Sequence, residues 1–221
     1  MFICLSPYQN QIRCIAVTKF NEWNPLFLQI ENMRKNPIEK NWAPFVINNK
    51  LYFVYNYDPL VIIHYDFNSS GICKIIFKQN NINLPINTSI TYLRGGSNLL
   101  HYKDNYYIGG VHSRLQKDCF IHFSHIVLLD IEKWELVYLS KPILYKYLLH
   151  DKLRVHDKNK PFKSLDTLHN VIIDKTPNLI QDPISLYQND DNFYITINIR
   201  DSVSLLYEIE FLDLIKKNQY N

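Results

Sequence analysis

Apolar and polar positions along this chain fall into one unit that recurs three times. Each copy has a largely apolar strand, a polar hairpin, an aromatic return strand and a polar or charged corner. The copies are PFVINNKLYFVYNYDP (Pro44 to Pro59), NLLHYKDNYYIGGVHSR (Asn98 to Arg114) and ISLYQNDDNFYITINIRD (Ile184 to Asp201). A repeat of this kind is one supersecondary unit copied, and this unit reads as a propeller blade. In the first copy, Trp42 to Ile47 and Leu51 to Asn56 flank an Asn48-Asn49 hairpin turn, and Val61 to Asp66 and Ile72 to Phe77 complete four strands. The second supplies Gly96 to His101, Tyr106 to Val111, Phe120 to Leu129 and Glu135 to Leu139; the third supplies Ile184 to Tyr187, Phe193 to Ile199 and Ser204 to Phe211. Most of these strands are apolar on both faces, as expected where a sheet is packed between two others.

The pattern predicts one all-β domain over 1–221 of β-propeller type, incomplete at its N-terminus. Its parts are a partial blade at 1–35, blades at 36–80 and 90–140, an irregular insertion or divergent blade at 141–178, and a last blade at 179–221. Met1 to Ser6, Ile12 to Thr18 and Leu26 to Ile30 are the strands of the partial blade. Leu144 to Leu149 and Leu212 to Asn218 read as short helical stretches. Propellers close with four to eight blades, so three units and a fragment imply a missing blade or a piece of a longer product. An open propeller also implies a partner chain over its exposed edge.

Composition narrows the classes. With 221 residues, 47% hydrophobic and 14% aromatic, the chain is long enough for a sizeable core. A net charge of +3 on scattered Lys leaves no nucleic-acid footprint. No apolar run approaches the length of a membrane span, and MFICLSPYQN has no basic n-region of a signal peptide. The expected setting is the cytoplasm, without membrane or nucleic-acid partners. Cys4, Cys14, Cys73 and Cys119 fit no zinc spacing and read as free, partly buried thiols.

Four motifs carry a resemblance. Glu39-Lys40-Asn41-Trp42-Ala43-Pro44-Phe45 followed by Leu51-Tyr52-Phe53-Val54-Tyr55 resembles an EKNW-x-PF…LYFVYS signature. Leu93-Arg94-Gly95-Gly96-Ser97 resembles an RGG motif ending in Ser or Thr. His112 and the stretch Phe123-Ser124-His125 through Asp130 resemble H…YxHRFVLLD, and Asp201 with Ser204-Leu205-Leu206 resembles ND-x-x-SLL. These belong to uncharacterised proteins, often of giant viruses (hence a host cytoplasm) or associated with glycosyltransferases. They are similar to the five-bladed β-propeller glycosidase superfamily of arabinanases, fructosidases and mannoside phosphorylases. The resemblance implies a five-bladed fold and a carbohydrate ligand at the channel mouth. Two features depart from the group's pattern: an EDPR motif of an earlier blade is absent, and Ile180 is followed by Gln181 where the group has Glu.

The candidate site follows from these motifs. Glycoside cleavage uses two carboxylates flanking the bond, and Glu39, Asp182 and Asp201 are the candidates. The substrate-binding candidates are Lys40, Asn41, Trp42, Asp58, Arg94, Gly95, Gly96, Ser97, His112 and His125. Trp42 suits ring stacking or an inter-blade core. Gly95 and Gly96 suit a close backbone approach or a tight turn, and Arg94 suits a carboxylate or phosphate. His122 and His125 lie three apart on a strand, so they face opposite sides and cannot ligate one metal together. His64, His101, His150, His156 and His169 show no ligand spacing, so neither a metal nor a cofactor is expected. The function expected is a carbohydrate-active protein that binds, and cleaves or transfers, a glycoside. The alternative is a catalytically inactive sugar-binding or protein-interaction propeller.

Overall fold

The structure, a computed structural model, describes residues 2–5, 8–9, 12–19, 21, 24–33, 38–79, 93–116, 120–140, 143, 181–199 and 203–209. Asp201 and the expected helical stretches, with most of 141–178, lie outside the described residues. Within them every regular element is a strand and there is no helix.

The N-terminal part contains β1 (Phe2–Leu5), β2 (Tyr8–Gln9), β3 (Ile12–Arg13), β4 (Ala16–Lys19), β5 (Leu26–Phe27) and β6 (Gln29–Ile30). β1, β4 and β5 form the first sheet, and β2 and β3 form a small hairpin of their own. The stretch Leu26 to Ile30, expected as one strand, divides between two sheets. β5 pairs with β4, while β6 crosses to run parallel with a strand of the next sheet.

That second sheet is the meander β7 (Ala43–Ile47), β8 (Lys50–Tyr57), β9 (Leu60–Tyr65) and β10 (Ile72–Lys78), with β6 on its outer edge. Its first hairpin turns where the sequence places it. Asn48 and Asn49 have φ of 49° and 61°, the double left-handed turn that matches strand twist and that Asn tolerates. The third sheet is the meander β11 (Leu93–Lys103), β12 (Tyr106–Gln116), β13 (Phe120–Asp130) and β14 (Glu135–Leu139). The last sheet is β15 (Gln181–Asn189), β16 (Asn192–Ile199) and β17 (Val203–Ile209).

Double-faced apolar strands are explained by how these sheets stack. Phe53 and Ile63 of the second sheet pack with Val17 and Leu28 toward the first. Phe45, Val54 and Ile62 pack on Tyr107, Val111 and Leu129 of the third sheet. Ile108, Ile126 and Leu128, on the other face of that third sheet, pack on Leu186, Ile195 and Ile197 of the last. Alternate residues of one strand therefore feed two different cores, as the two-residue period requires. Each fully buried side chain of this size stabilises the stack by about 1.5–3 kcal/mol. The Trp134 ring adds to the second interface, lying 6.4 Å from Phe45 and 6.3 Å from Tyr52.

The first strand of each meander is an edge strand of its sheet, and these inner strands adjoin, with β11 packed against both β7 and β15. Polar side chains stitch these neighbours. Asn98 donates its amide to the Leu186 carbonyl (3.1 Å) and accepts from the Leu186 amide (2.8 Å), standing in for a strand across the gap. The Tyr107 hydroxyl donates to the Val46 carbonyl at 2.9 Å. An open cleft of 1050 Å³ follows the inner strands, lined by Asn41, Trp42, Gly96, Asn98, Tyr107 and Ile184 among others.

Two strands begin earlier than their patterns suggest. β11 starts at Leu93, so Leu93-Arg94-Gly95 is strand as well. β15 starts at Gln181 rather than Ile184. Both extensions lie at the end of the stack where the polar motifs gather.

Candidate functional site

Each meander reverses direction from strand to strand. The starts of β7, β11 and β15 therefore lie at the same end as the closing residues of β8, β12 and β16. Short sequence motifs from distant parts of the chain meet there.

Arg94 on β11 is directly opposite His112 on β12, which is opposite Ser124 on β13. Residues opposite one another share a face, and so do residues two apart on a strand. His122 therefore projects beside His112. Their imidazoles stack, with centroids 4.9 Å apart and planes inclined by 12°. Asp182, at the start of β15, reaches across from the last sheet. Its Oδ1 lies 3.0 Å from His122 Nδ1 and 3.5 Å from His112 Nδ1. The first contact is a hydrogen bond that His122 donates, since an ionised carboxylate only accepts. Ser124 Oγ donates to the Gln181 carbonyl at 3.0 Å and pins the start of β15 to this face.

Burial sets the charges. Desolvation pushes the His112 imidazole down to about 4; Asp182 resists the change, while His122, Lys40 and Arg94 add to it. His112 is therefore neutral at neutral pH. Burial alone would raise the Asp182 carboxyl, but the His122 hydrogen bond and the electrostatic effect of its two imidazole neighbours and Lys40 outweigh it and hold it below its ordinary value. The result is an ionised carboxylate facing two imidazoles.

Glu39 forms the second carboxylate centre. Trp42 Nε1 donates to its Oε2 at 3.0 Å, and the Tyr55 hydroxyl lies 3.4 Å from its Oε1. Trp42 itself is buried, edge-on to Phe53 and Tyr55 at 5.6 and 5.4 Å. Its indole thus serves as core and as the clamp that orients Glu39. Arg94 links the two centres electrostatically. Burial lowers it from its ordinary value against the opposing pull of Tyr55 and Glu39, and its charge is felt at His112. Asn41, between the two centres, adopts a left-handed backbone with φ of 65°.

The two glycines make this proximity possible. A Cβ on Gly95 would strike the Asn41 carbonyl and come within 3.2 Å of the Tyr57 ring. A Cβ on Gly96 would strike the Pro183 carbonyl and lie 2.7 Å from the Pro183 ring. β11 can lie between β7 and β15 only because these positions carry no side chain.

The structure thus brings Glu39, Lys40, Asn41, Trp42, Arg94, Gly95, Gly96, His112 and Asp182 to one end of the inner strands. Two other candidates, Ser97 and His125, have side chains engaged within the third sheet, and Asp58 stands apart at a corner. Ser97 is fully buried, accepting from the Gly110 amide at 2.6 Å and donating to the Asn98 carbonyl at 2.8 Å, where β11 bulges against β12. His125 points to the opposite face from His122, bonded to Ser113 Oγ at 2.7 Å and to the Ser140 carbonyl at 2.8 Å. Asp58 occupies the corner between β8 and β9, where Asn56 donates to its carbonyl at 2.8 Å and burial raises its carboxyl.

His122 is the residue that the motifs missed. It lies ten positions from His112, and only the β12–β13 register makes them neighbours. Consequently no sequence spacing revealed that His112, His122 and Asp182 present one donor atom each within 4.8 Å of one another. The expectation of no metal rests on spacing within single strands, whereas this grouping spans three strands of two sheets. The cleft along the inner strands shares Asn41, Trp42 and Gly96 with this site, but His112, His122 and Asp182 do not line it. The chemistry sits at its end, where the charged groups converge.

Residues 5–129 match the family of beta-mannosyltransferases. Beta-mannosyltransferase 3 of Candida albicans (strain SC5314 / ATCC MYA-2876) is 32% identical over 130 residues, covering 51% of this chain and 23% of that protein. Beta-mannosyltransferase 5 of the same strain is 31% identical over 96 residues, covering 38% of this chain and 15% of that protein. The chain thus spans less than a quarter of the length of these curated relatives. The family match takes in Glu39 to Trp42, Arg94 to Ser97, His112 and His122, whereas Asp182 lies beyond it. The carbohydrate-active character implied by the motifs is supported at the level of a transferase family rather than of the glycosidases. With more than half of its length matched, the chain belongs to the beta-mannosyltransferase family.

Proposed function

We propose that this chain carries the sugar-handling site of a mannosyl transfer reaction, at the end of the inner strands. The observation that carries this reading is the convergence of Asp182 with His112 and His122 from two sheets, beside Glu39, Lys40 and Arg94. Glycosyl transfer proceeds through a positively charged, oxocarbenium-like sugar ring. A carboxylate held ionised, as Asp182 is, suits deprotonation of the acceptor hydroxyl or stabilisation of that ring. Glu39, oriented by Trp42, suits hydrogen bonds to sugar hydroxyls. Arg94 and Lys40 would meet negative charge that develops on the leaving group.

The same proposal extends to the fold. The second, third and last sheets are read as consecutive blades of a five-bladed propeller, with the cleft as part of its channel. Support comes from the packing of β11 against both β7 and β15 and from a separate apolar cluster at each sheet interface. On this reading Asp201, which follows β16 in sequence as Asp58 follows β8, is a further channel carboxylate. Tyr187 and Leu206 are exposed on the face of the last sheet turned away from the third. A further blade or a partner chain would pack there.

A second reading, sugar binding without transfer, is favoured by Gln181. It stands where the resembled group has Glu, its side chain is buried, and its carbonyl is used by Ser124. Calorimetric titration of the purified chain with mannosides, arabinosides and sugar phosphates tests both readings. Saturable mannoside binding, lost in Glu39→Gln and Asp182→Asn, supports the site, and product formation with an acceptor then selects transfer. A folded chain that binds none of these sugars would exclude both readings.

A further inference from the structure

We infer that His112, His122 and Asp182 bind one divalent transition-metal ion. Three observations converge. The first is distance. One donor atom from each residue falls within 4.8 Å of the others, and the two Nδ1 atoms lie 3.0 and 3.5 Å from the same Asp182 oxygen. Metal–ligand bonds of about 2.0–2.2 Å in tetrahedral geometry separate neighbouring donors by about 3.3–3.6 Å. The limit of 4.8 Å exceeds that separation and the two rings are stacked, so the imidazoles must turn on their strands to close on one ion.

The second observation is an unsatisfied atom. The His112 side chain is 5% exposed, and its Nδ1 is buried without a hydrogen bond. A buried polar atom in that state is costly and calls for an explanation. An ion coordinated by this nitrogen supplies one. The 3.5 Å approach of His112 Nδ1 to Asp182 and the His122–Asp182 hydrogen bond would both be exchanged for coordination.

The third is placement. The donors come from β12, β13 and β15, so two packed sheets hold them, and Ser124 fixes the β15 strand beside them. Ligands on rigid strands keep their geometry before the ion arrives. Three protein ligands leave open coordination positions, the arrangement of reactive rather than structural sites. Two imidazoles favour zinc and its transition-metal neighbours over magnesium and calcium, which take oxygen-rich shells. Lys40 and Arg94 repel a cation here, while Asp182 and Glu39 attract it, so the affinity expected is moderate. The open positions would take hydroxyl oxygens of the sugar. The inference rests on the proposed sugar site only for that role, since ion binding itself is measured without sugar.

The test is calorimetric titration of the chelator-treated chain with zinc sulfate, without sugar. One ion per chain is expected, with at least a tenfold loss of affinity in His122→Ala and in Asp182→Asn. His101→Ala is the control, because that ring bonds within its own hairpin, to the Asp104 carbonyl at 2.9 Å. Copper(II) electron paramagnetic resonance of the wild-type chain should show hyperfine splitting from two nitrogens, and from one in His122→Ala. The wild-type spectrum keeps the test valid if a variant fails to fold. A folded chain that binds no zinc at millimolar concentration would overturn the inference. So would binding unchanged in both variants, or a copper spectrum without two nitrogens. Mannoside binding that persists in chelator-treated protein alongside such a result would leave the sugar site standing and remove only the ion.

Discussion

His112 and His122 lie ten residues apart in sequence but stack face to face, 4.9 Å between ring centroids, with both Nδ1 atoms directed at one oxygen of Asp182. Neither imidazole is held there by its own strand alone. The carboxylate from the neighbouring sheet accepts from His122 and faces His112 at 3.5 Å. Asp182→Asn keeps the shape and an acceptor oxygen but removes the charge. Its side chain retains 38% of its surface, so the fold should lose no more than about 1 kcal/mol. Transfer, if Asp182 acts as base, should fall roughly 100-fold or more. Urea unfolding beside an acceptor-dependent product assay separates the two effects; loss of activity that merely tracks unfolding would remove Asp182 from the chemistry.

Gly95 tests how tightly the site is packed. A methyl group here meets the Asn41 carbonyl, a backbone atom that no rotamer change can move aside. Gly95→Ala should destabilise the chain by about 1–3 kcal/mol, the usual cost of overpacking. Because the displaced strand segment carries Glu39 and Lys40 just before Asn41, sugar affinity should fall as well. Denaturant midpoints with sugar titration check this, and an unchanged midpoint would mean that β7 and β11 are not in this contact in solution.

The inner strands make a separable prediction. Asn98 satisfies both the amide and the carbonyl of Leu186, eighty-eight residues away. Asn98→Leu leaves both backbone groups without their partner, which costs about 1–3 kcal/mol for each buried group left unsatisfied. Hydrogen exchange should accelerate at Leu186 more than at Phe53, whose sheet does not use this bridge. Equal acceleration at both would show that the loss is global rather than at the β11–β15 seam.

The all-β class and most strands were legible because short apolar and aromatic runs and the turn residues between them act locally. Asn48-Asn49 and the apolar positions of β8 and β9 are specified by their own segment. The site was legible only where a motif happened to mark it, as with Glu39 to Trp42 and Arg94 to Gly96. His122 was invisible because its partner is chosen by register across two strands, and the partners of Ser97 and His125 are chosen in the same way. Their polar atoms are used inside the third sheet by Gly110, Ser113 and Ser140. A polar residue in a strand does not disclose, from sequence alone, whether its partner is a ligand or the next strand.

Trp42 and Glu39 should be coupled. The indole N–H donates to the carboxylate at 3.0 Å, and hydrogen bonds to charged groups contribute about 1.5–3 kcal/mol. Trp42→Phe removes the donor while keeping an aromatic ring against Phe53 and Tyr55. A double-mutant cycle with Glu39→Gln, read in stability and in sugar affinity, should show non-additivity of about 1 kcal/mol or more. Additive losses would mean that Trp42 serves only the core.

His125 gives the pH dependence a definite sign. Burial lowers its pKa below the ordinary value of 6.5, against a smaller opposing effect of the Ser140 carbonyl. Between the lowered native value and 6.5, the unfolded chain binds a proton at this residue and the folded chain does not. Stability therefore rises with pH through that window and is flat above it for this group. Protonation would also force two donors into a niche where Nε2 accepts from Ser113 Oγ. His125→Gln cannot titrate. Its denaturant midpoint should depend less steeply on pH between pH 5 and 7 than that of the wild-type chain, whose His112 and His64 shift in the same direction and remain in both proteins. The difference between the two curves isolates His125. Parallel curves would show that its ring is equally free to take a proton in the folded state, and that the Ser113–His125–Ser140 chain is not a fixed part of the third sheet.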